Sequence, residues 1–78
     1  MTYDAIRKAF KADPFRPFFI CLTSGQRLHA PHPEMLLVPP VPARTIVLHE
    51  DGGYHLIDLT MVSALEFENE PKRRRRAG

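Results

Sequence analysis

The sequence predicts a mainly β, α+β domain in which an N-terminal helix precedes a small, strongly bent, five-stranded antiparallel sheet. Three observations carry this expectation. Eight of the 78 residues are proline, and each proline removes a backbone donor and fixes φ, which suits short strands and stiff loops better than a helical bundle. The apolar period changes from that of a helix to that of a strand after Pro17. Two glycine turns, Ser24-Gly25 and Asp51-Gly52-Gly53, each separate a pair of strand-like runs.

The helix is expected over residues 1 to 13. Thr2 is a suitable N-cap, Asp4 lies in the first turn and Lys8 and Lys11 near the other end, in the sense that complements the helix dipole. Tyr3, Ile6 and Phe10 form one apolar stripe, while Arg7, Lys8 and Lys11 gather elsewhere on the surface. Asp13-Pro14 ends the helix, because the residue before proline is pushed out of the helical region.

In Phe18-Phe19-Ile20-Cys21-Leu22-Thr23 alternate residues face opposite sides, and after Ser24-Gly25 the chain returns over Gln26 to Ala30 as a hairpin. Pro31-His32-Pro33-Glu34 reads as a stiff corner, Met35-Leu36-Leu37-Val38 as a short strand candidate, and Pro39-Pro40-Val41-Pro42 as an extended loop. Thr45 to His49 and Tyr54 to Asp58 flank the second turn, Leu59 to Val62 turns the chain through one helical turn, and Ala64 to Phe67 closes the sheet. The expected core is Ile6, Phe10, Phe15, Phe18, Ile20, Leu22, Leu28, Leu37, Ile46, Leu48, Leu56, Ile57, Val62, Leu65 and Phe67. Residues 1 to 67 then form one domain, with a barrel over 14 to 67, and the charged residues 68 to 78 form a disordered basic tail.

Composition narrows the class. With 44% hydrophobic and 26% charged residues the chain is globular in character. Cys21 has no second cysteine to pair with, and no apolar run is long enough to span a bilayer, so a cytoplasmic setting without membrane contact is expected. Five of the eleven Lys and Arg stand in Lys72-Arg73-Arg74-Arg75-Arg76, which leaves six against nine acids, about −3 outside that run. A small domain whose strands carry apolar residues on both faces, Phe19 and Cys21 beside Phe18 and Ile20, Leu36 beside Leu37, is expected to form a homo-oligomer.

Few residues suggest chemistry. His29, His32, His49 and His55 with Cys21, Glu34, Asp51 and Asp58 contain zinc-type ligands, but only His29-x-x-His32 has suggestive spacing, and no metal or other cofactor is expected. Ser24 and Ser63 lack a nucleophile-elbow setting and Cys21 lies in an apolar strand, so the chain is read as non-enzymatic. His32, held between two prolines, and Glu34 beside it are candidates for a recognition loop; the structural alternative is that Glu34 and Asp58 accept backbone N–H bonds at corners. The run Lys72, Arg73, Arg74, Arg75 and Arg76, with Arg7, Lys8 and Lys11, is the candidate nucleic-acid-binding set, since clustered cations displace counterions from phosphates of RNA or DNA. The alternative reading is a protein-interaction or self-assembly module in which the tail only solubilises.

Pro14-Phe15-Arg16-Pro17-Phe18, Leu22 to Gly25, His32-Pro33-Glu34, Asp51-Gly52 and Ile57-Asp58-Leu59 with Val62 and Leu65-Glu66 resemble the motifs of a family of small uncharacterised bacterial proteins; the likeness spans Pro14 to Phe67 and implies one intact domain. A helix, then five strands with a glycine turn after the first, is also similar to Sm-like RNA-binding barrels, and more loosely to SH3-like barrels. The Sm-like likeness implies ring assembly; the sequence departs from that pattern in having Ala30 rather than glycine at the small second-strand position, and His32-Pro33-Glu34 where those barrels place a base-contacting Asp or Asn.

Overall fold

The computed structural model describes residues 1–68. The helix α1 runs Tyr3–Lys11 and begins where the sequence places it: the Thr2 hydroxyl oxygen accepts from the Ala5 N–H at 3.2 Å. Nine residues make too short a helix to stand alone, so its apolar stripe must dock. Ile6 and Ala9 are buried, and Tyr3 and Phe10 pack half-buried beside them. Two polar side chains pin the same helix to the proline loop. The Tyr3 hydroxyl donates to the Pro39 carbonyl, and Arg7 Nη1 donates to the carbonyls of Pro39 at 3.1 Å and Val38 at 3.5 Å.

Six strands follow: β1 Phe18–Leu22, β2 Arg27–Ala30, β3 Leu36–Leu37, β4 Thr45–Glu50, β5 Gly53–Asp58 and β6 Val62–Phe67. They form two antiparallel three-stranded sheets, ordered β2-β1-β6 and β3-β4-β5, in place of the single five-stranded sheet expected. The division falls at the Pro31 to Met35 corner. Pro31 and Pro33 cannot donate to a ladder, the chain makes a 3₁₀ turn over Pro33–Met35, and it emerges paired with β4, having left β1. β5 and β6 are not paired with each other, and no closed barrel results among the described residues.

Both glycine hairpins form as expected. Gly25 has φ +98° and Gly52 φ +85°, the left-handed region that β-carbon-bearing residues avoid. The anticipated turn after β5 is a 3₁₀ turn, Leu59–Met61, capped by Asp58. In β6 the register shifts between Cys21↔Ala64 and Leu22↔Val62, so Ser63 is the extra residue of a bulge and donates its hydroxyl to the Cys21 carbonyl at 3.0 Å. The bulge lets Val62, Leu65 and Phe67 all face inward although strict alternation forbids it, and it bends the strand.

The core lies between the inner faces of the sheets and beneath α1. Phe18, Ile6, Ile20, Ile46 and Leu48 are fully buried, and the Phe15 and Phe67 rings sit 5.6 and 5.7 Å from that of Phe18. Two expected core residues are instead on the surface: Leu37 is 58% and Leu56 69% exposed. Leu36 is buried at 5% in place of its neighbour Leu37, and Ile57, expected in the core together with Leu56, is buried at 3%. Ala9, Ala30, Val38 and Leu59 complete the core unanticipated. Glu68, expected in the tail, is held by its N–H donating to the Pro17 carbonyl at 2.9 Å; residues 69–78, and with them the rest of the expected tail, lie outside the described residues. No described helix is long and apolar enough to cross a membrane.

Candidate functional site

The outer faces of the two sheets differ in a way the inner faces do not. On β2-β1-β6 the outward aromatic is Phe19, which opposes His29 on one side and Glu66 on the other. The His29 ring stacks on it at 4.7 Å, and the Arg27 guanidinium lies 4.3 Å from its centroid. Arg27 in turn meets Glu66 at 2.5 Å, and His29 Nε2 meets Glu68 at 2.7 Å. The bond to Glu66 is the main cause that raises the Arg27 pKa above its ordinary value. Phe19 is therefore covered by a cation and an imidazole that are themselves paired with carboxylates, and this face presents a charged ladder to water.

Among the described residues, the outer face of β3-β4-β5 has no such cover. Cross-strand register places Leu37 opposite Val47 and Val47 opposite Leu56, so three aliphatic side chains form one row across the sheet. Leu37 and Leu56 at its ends are 58% and 69% exposed, with Val47 half-buried between them. One row along the strands stand His49 and Tyr54, their rings 6.0 Å apart, and Tyr54 is 63% exposed. On the other side stand Thr45 and Asp58. The Asp58 Oδ1 accepts from the Thr60 N–H at 2.9 Å and the Thr60 hydroxyl at 2.8 Å. The Thr60 backbone bond, then its hydroxyl, then the nearby charge of Arg44 hold the Asp58 carboxyl below its ordinary value, so it is ionised at neutral pH.

The sequence-derived candidates are distributed differently. Of the helix cations, Lys8 and Lys11 are exposed, whereas Arg7 is half-buried and occupied with the carbonyls of Val38 and Pro39. His32 and Glu34 are exposed at the corner around Pro33, and the His32 carbonyl accepts from the Met35 N–H at 3.1 Å. Of the two acids proposed to brace corners, Asp58 does so through Thr60. Lys72, Arg73, Arg74, Arg75 and Arg76 lie outside the described residues. The four histidines do not gather: His29 pairs with Glu68, His55 Nε2 with Glu50 at 2.9 Å, and among the described residues no three His, Cys, Asp or Glu side chains are placed to hold a metal ion. Shallow depressions flank the described residues. One of about 300 Å³ lies between the β1–β2 hairpin and β5, and one of about 350 Å³ lies between Ala5 and Ala9 of α1, Ala12 just after it, and Leu65 and Phe67 of β6.

The apolar row is the feature that reading the residues in order misses. A usable signal was present: in Tyr54-His55-Leu56-Ile57-Asp58 a strand can turn only one of Leu56 and Ile57 inward. No family model, no curated protein and no solved structure matches the chain.

Proposed function

We propose that the chain is a small non-enzymatic interaction module that docks a protein partner through the outer face of β3-β4-β5. The observation that carries this is the uncovered row Leu37, Val47 and Leu56 beside Tyr54, set against a first sheet whose outward aromatic is capped by charged groups. Contiguous exposed apolar side chains on a small domain lose hydration free energy in water and regain it on contact. The test compares the full chain with its Leu56→Asp variant as immobilised bait in nuclease-treated native lysate. The parent is expected to retain proteins the variant does not; identical retention would overturn this reading.

Nucleic-acid association is the second reading, favoured by the exposure of Lys8 and Lys11 on α1 together with the run Lys72 to Arg76 in the sequence. It competes with a carboxylate excess over the rest of the chain. A bent-barrel relationship of Sm-like or SH3-like type belongs to the same proposal. β2 and β3 are consecutive in the chain and adjoin β1 and β4, so taking them as one interrupted strand gives the order β5-β4-β3/β2-β1-β6 in a single bent sheet.

A further inference from the structure

We infer that the occupant of the β3-β4-β5 outer face is the same face of a second copy of this chain, related by a two-fold axis that runs along the Leu37–Val47–Leu56 row. This rests on the interaction reading above and names its partner.

The argument is one of self-complementarity. A two-fold axis lying in the interface keeps positions across the sheet and reverses positions along the strands, so the row packs on itself: Leu37 on Leu37, Val47 on Val47, Leu56 on Leu56 of the second copy. The same operation brings the row on one side of the axis opposite the row on the other. On β5, Tyr54 and Asp58 are two residues either side of Leu56; on β4, His49 and Thr45 are two residues either side of Val47. Each is displaced by about 6.8 Å along its strand, so Tyr54 of one copy meets Asp58 of the other, and His49 meets Thr45. Tyr54 brings a phenolic donor and Asp58 a carboxylate acceptor. Both Thr60 bonds to Asp58 go to Oδ1, and the contact with the second copy uses Oδ2. The polar rims thus match under the operation that buries the apolar row, and the match occurs twice by symmetry.

The size of the patch sets the kind of dimer. Three strands about 4.8 Å apart in the central row, and three rows about 6.8 Å apart on β4 and β5 alone, give a flat centre of at most about 10 by 14 Å before side-chain reach. That lies at the small end for specific contacts, so the dimer is reversible and concentration-dependent. The charged ladder over Phe19 on the other sheet offers no comparable surface.

Sedimentation velocity of the full chain from about 10 μM to about 1 mM tests this. Mass is expected to rise toward twice the chain's own. Leu56→Asp is expected to keep the chain monomeric throughout, and Tyr54→Phe to weaken association by more than about tenfold through loss of the two symmetry-related hydrogen bonds to charged groups. Arg27→Ala, on the other sheet, is expected to leave association unchanged. Leu37→Asp serves the same purpose should Leu56→Asp fail to fold, and far-ultraviolet circular dichroism reports which variant is folded. A parent that stays monomeric to the highest concentration overturns the inference, while the capture comparison still decides whether the face meets some other protein. A parent that associates equally well with Leu56→Asp in place also overturns it, because the copies then join by another surface.

Discussion

Asp58 serves the fold and borders the apolar face at once. Its carboxylate caps the 3₁₀ turn through the Thr60 N–H and hydroxyl, and these bonds to the charged form hold its folded pKa below the ordinary 3.8. A depressed carboxyl pKa contributes stability that is fully present above the unfolded value, about 3.9, and is lost as pH falls through the folded value. The urea midpoint of the parent is therefore expected to drop between about pH 5 and about pH 2 by more than that of Asp58→Asn, whose amide oxygen still accepts from Thr60 without titrating. Equal acid limbs for the two proteins would remove Asp58 from this role. Leu56 and Ile57 show the other residue-scale lesson: they are adjacent and both aliphatic, yet one is 69% and the other 3% exposed. A charge at Leu56 is accordingly a surface change, and this is what makes it usable as an interface probe.

The helix α1 separates structural cations from available ones. Arg7 donates to the Pro39 and Val38 carbonyls, so it joins the helix to the proline loop, while Lys8 and Lys11 on the same element are exposed. Arg7→Ala is expected to destabilise the domain by about 1 kcal/mol through the lost hydrogen bonds, and Lys8→Ala to stay within about 0.5 kcal/mol of the parent. If the chain binds nucleic acid, Lys8→Ala and Lys11→Ala are expected to lower that affinity and Arg7→Ala to leave it unchanged. Urea unfolding and fluorescence anisotropy of a labelled oligonucleotide read the two effects separately. A Lys8 variant as destabilised as the Arg7 variant would contradict the division.

At the scale of the whole molecule, charge is divided along the chain: about −3 outside the run Lys72 to Arg76 and +5 within it. This division gives the nucleic-acid reading a sharp test. Each engaged cation releases a phosphate counterion, so log affinity falls against log salt with a slope of about −0.7 to −0.9 per phosphate neutralised, up to roughly −4 for five cations. Removing residues 72 to 78 is expected to abolish most of that slope. The urea midpoint is expected to stay unchanged, because the core residues lie between Ile6 and Val62. Equal binding by the shortened chain, or none by the full chain at low salt, would dismiss the tail as a contact element. The self-association inferred for the β3-β4-β5 face is tested separately, through Leu37, Tyr54 and Leu56, none of which belongs to the basic run.

What the sequence by itself determined is what a few neighbouring residues decide. The Thr2 cap, the glycine turns with positive φ, the 3₁₀ turn after Asp58 and the inward phase of Phe18 and Ile20 all follow from local hydrogen bonding, sterics and alternation. What only the tertiary structure decided is phase and partnership. Alternation couples residues two apart within a strand, but where both parities are apolar, as at Leu36-Leu37 and Leu56-Ile57, it does not say which faces in. That choice is made by register with β4, where Leu36 and Leu48 pair on the inner face and Leu37, Val47 and Leu56 align on the outer one. The split into two sheets, the Ser63 bulge and the engagement of Arg7 arise in the same way, from contacts between segments remote in the chain. The candidate site was legible only in part for this reason: the adjacent apolar pairs Leu36-Leu37 and Leu56-Ile57 signal that one member of each faces outward, but the row itself is assembled from three strands, and no stretch of sequence contains it.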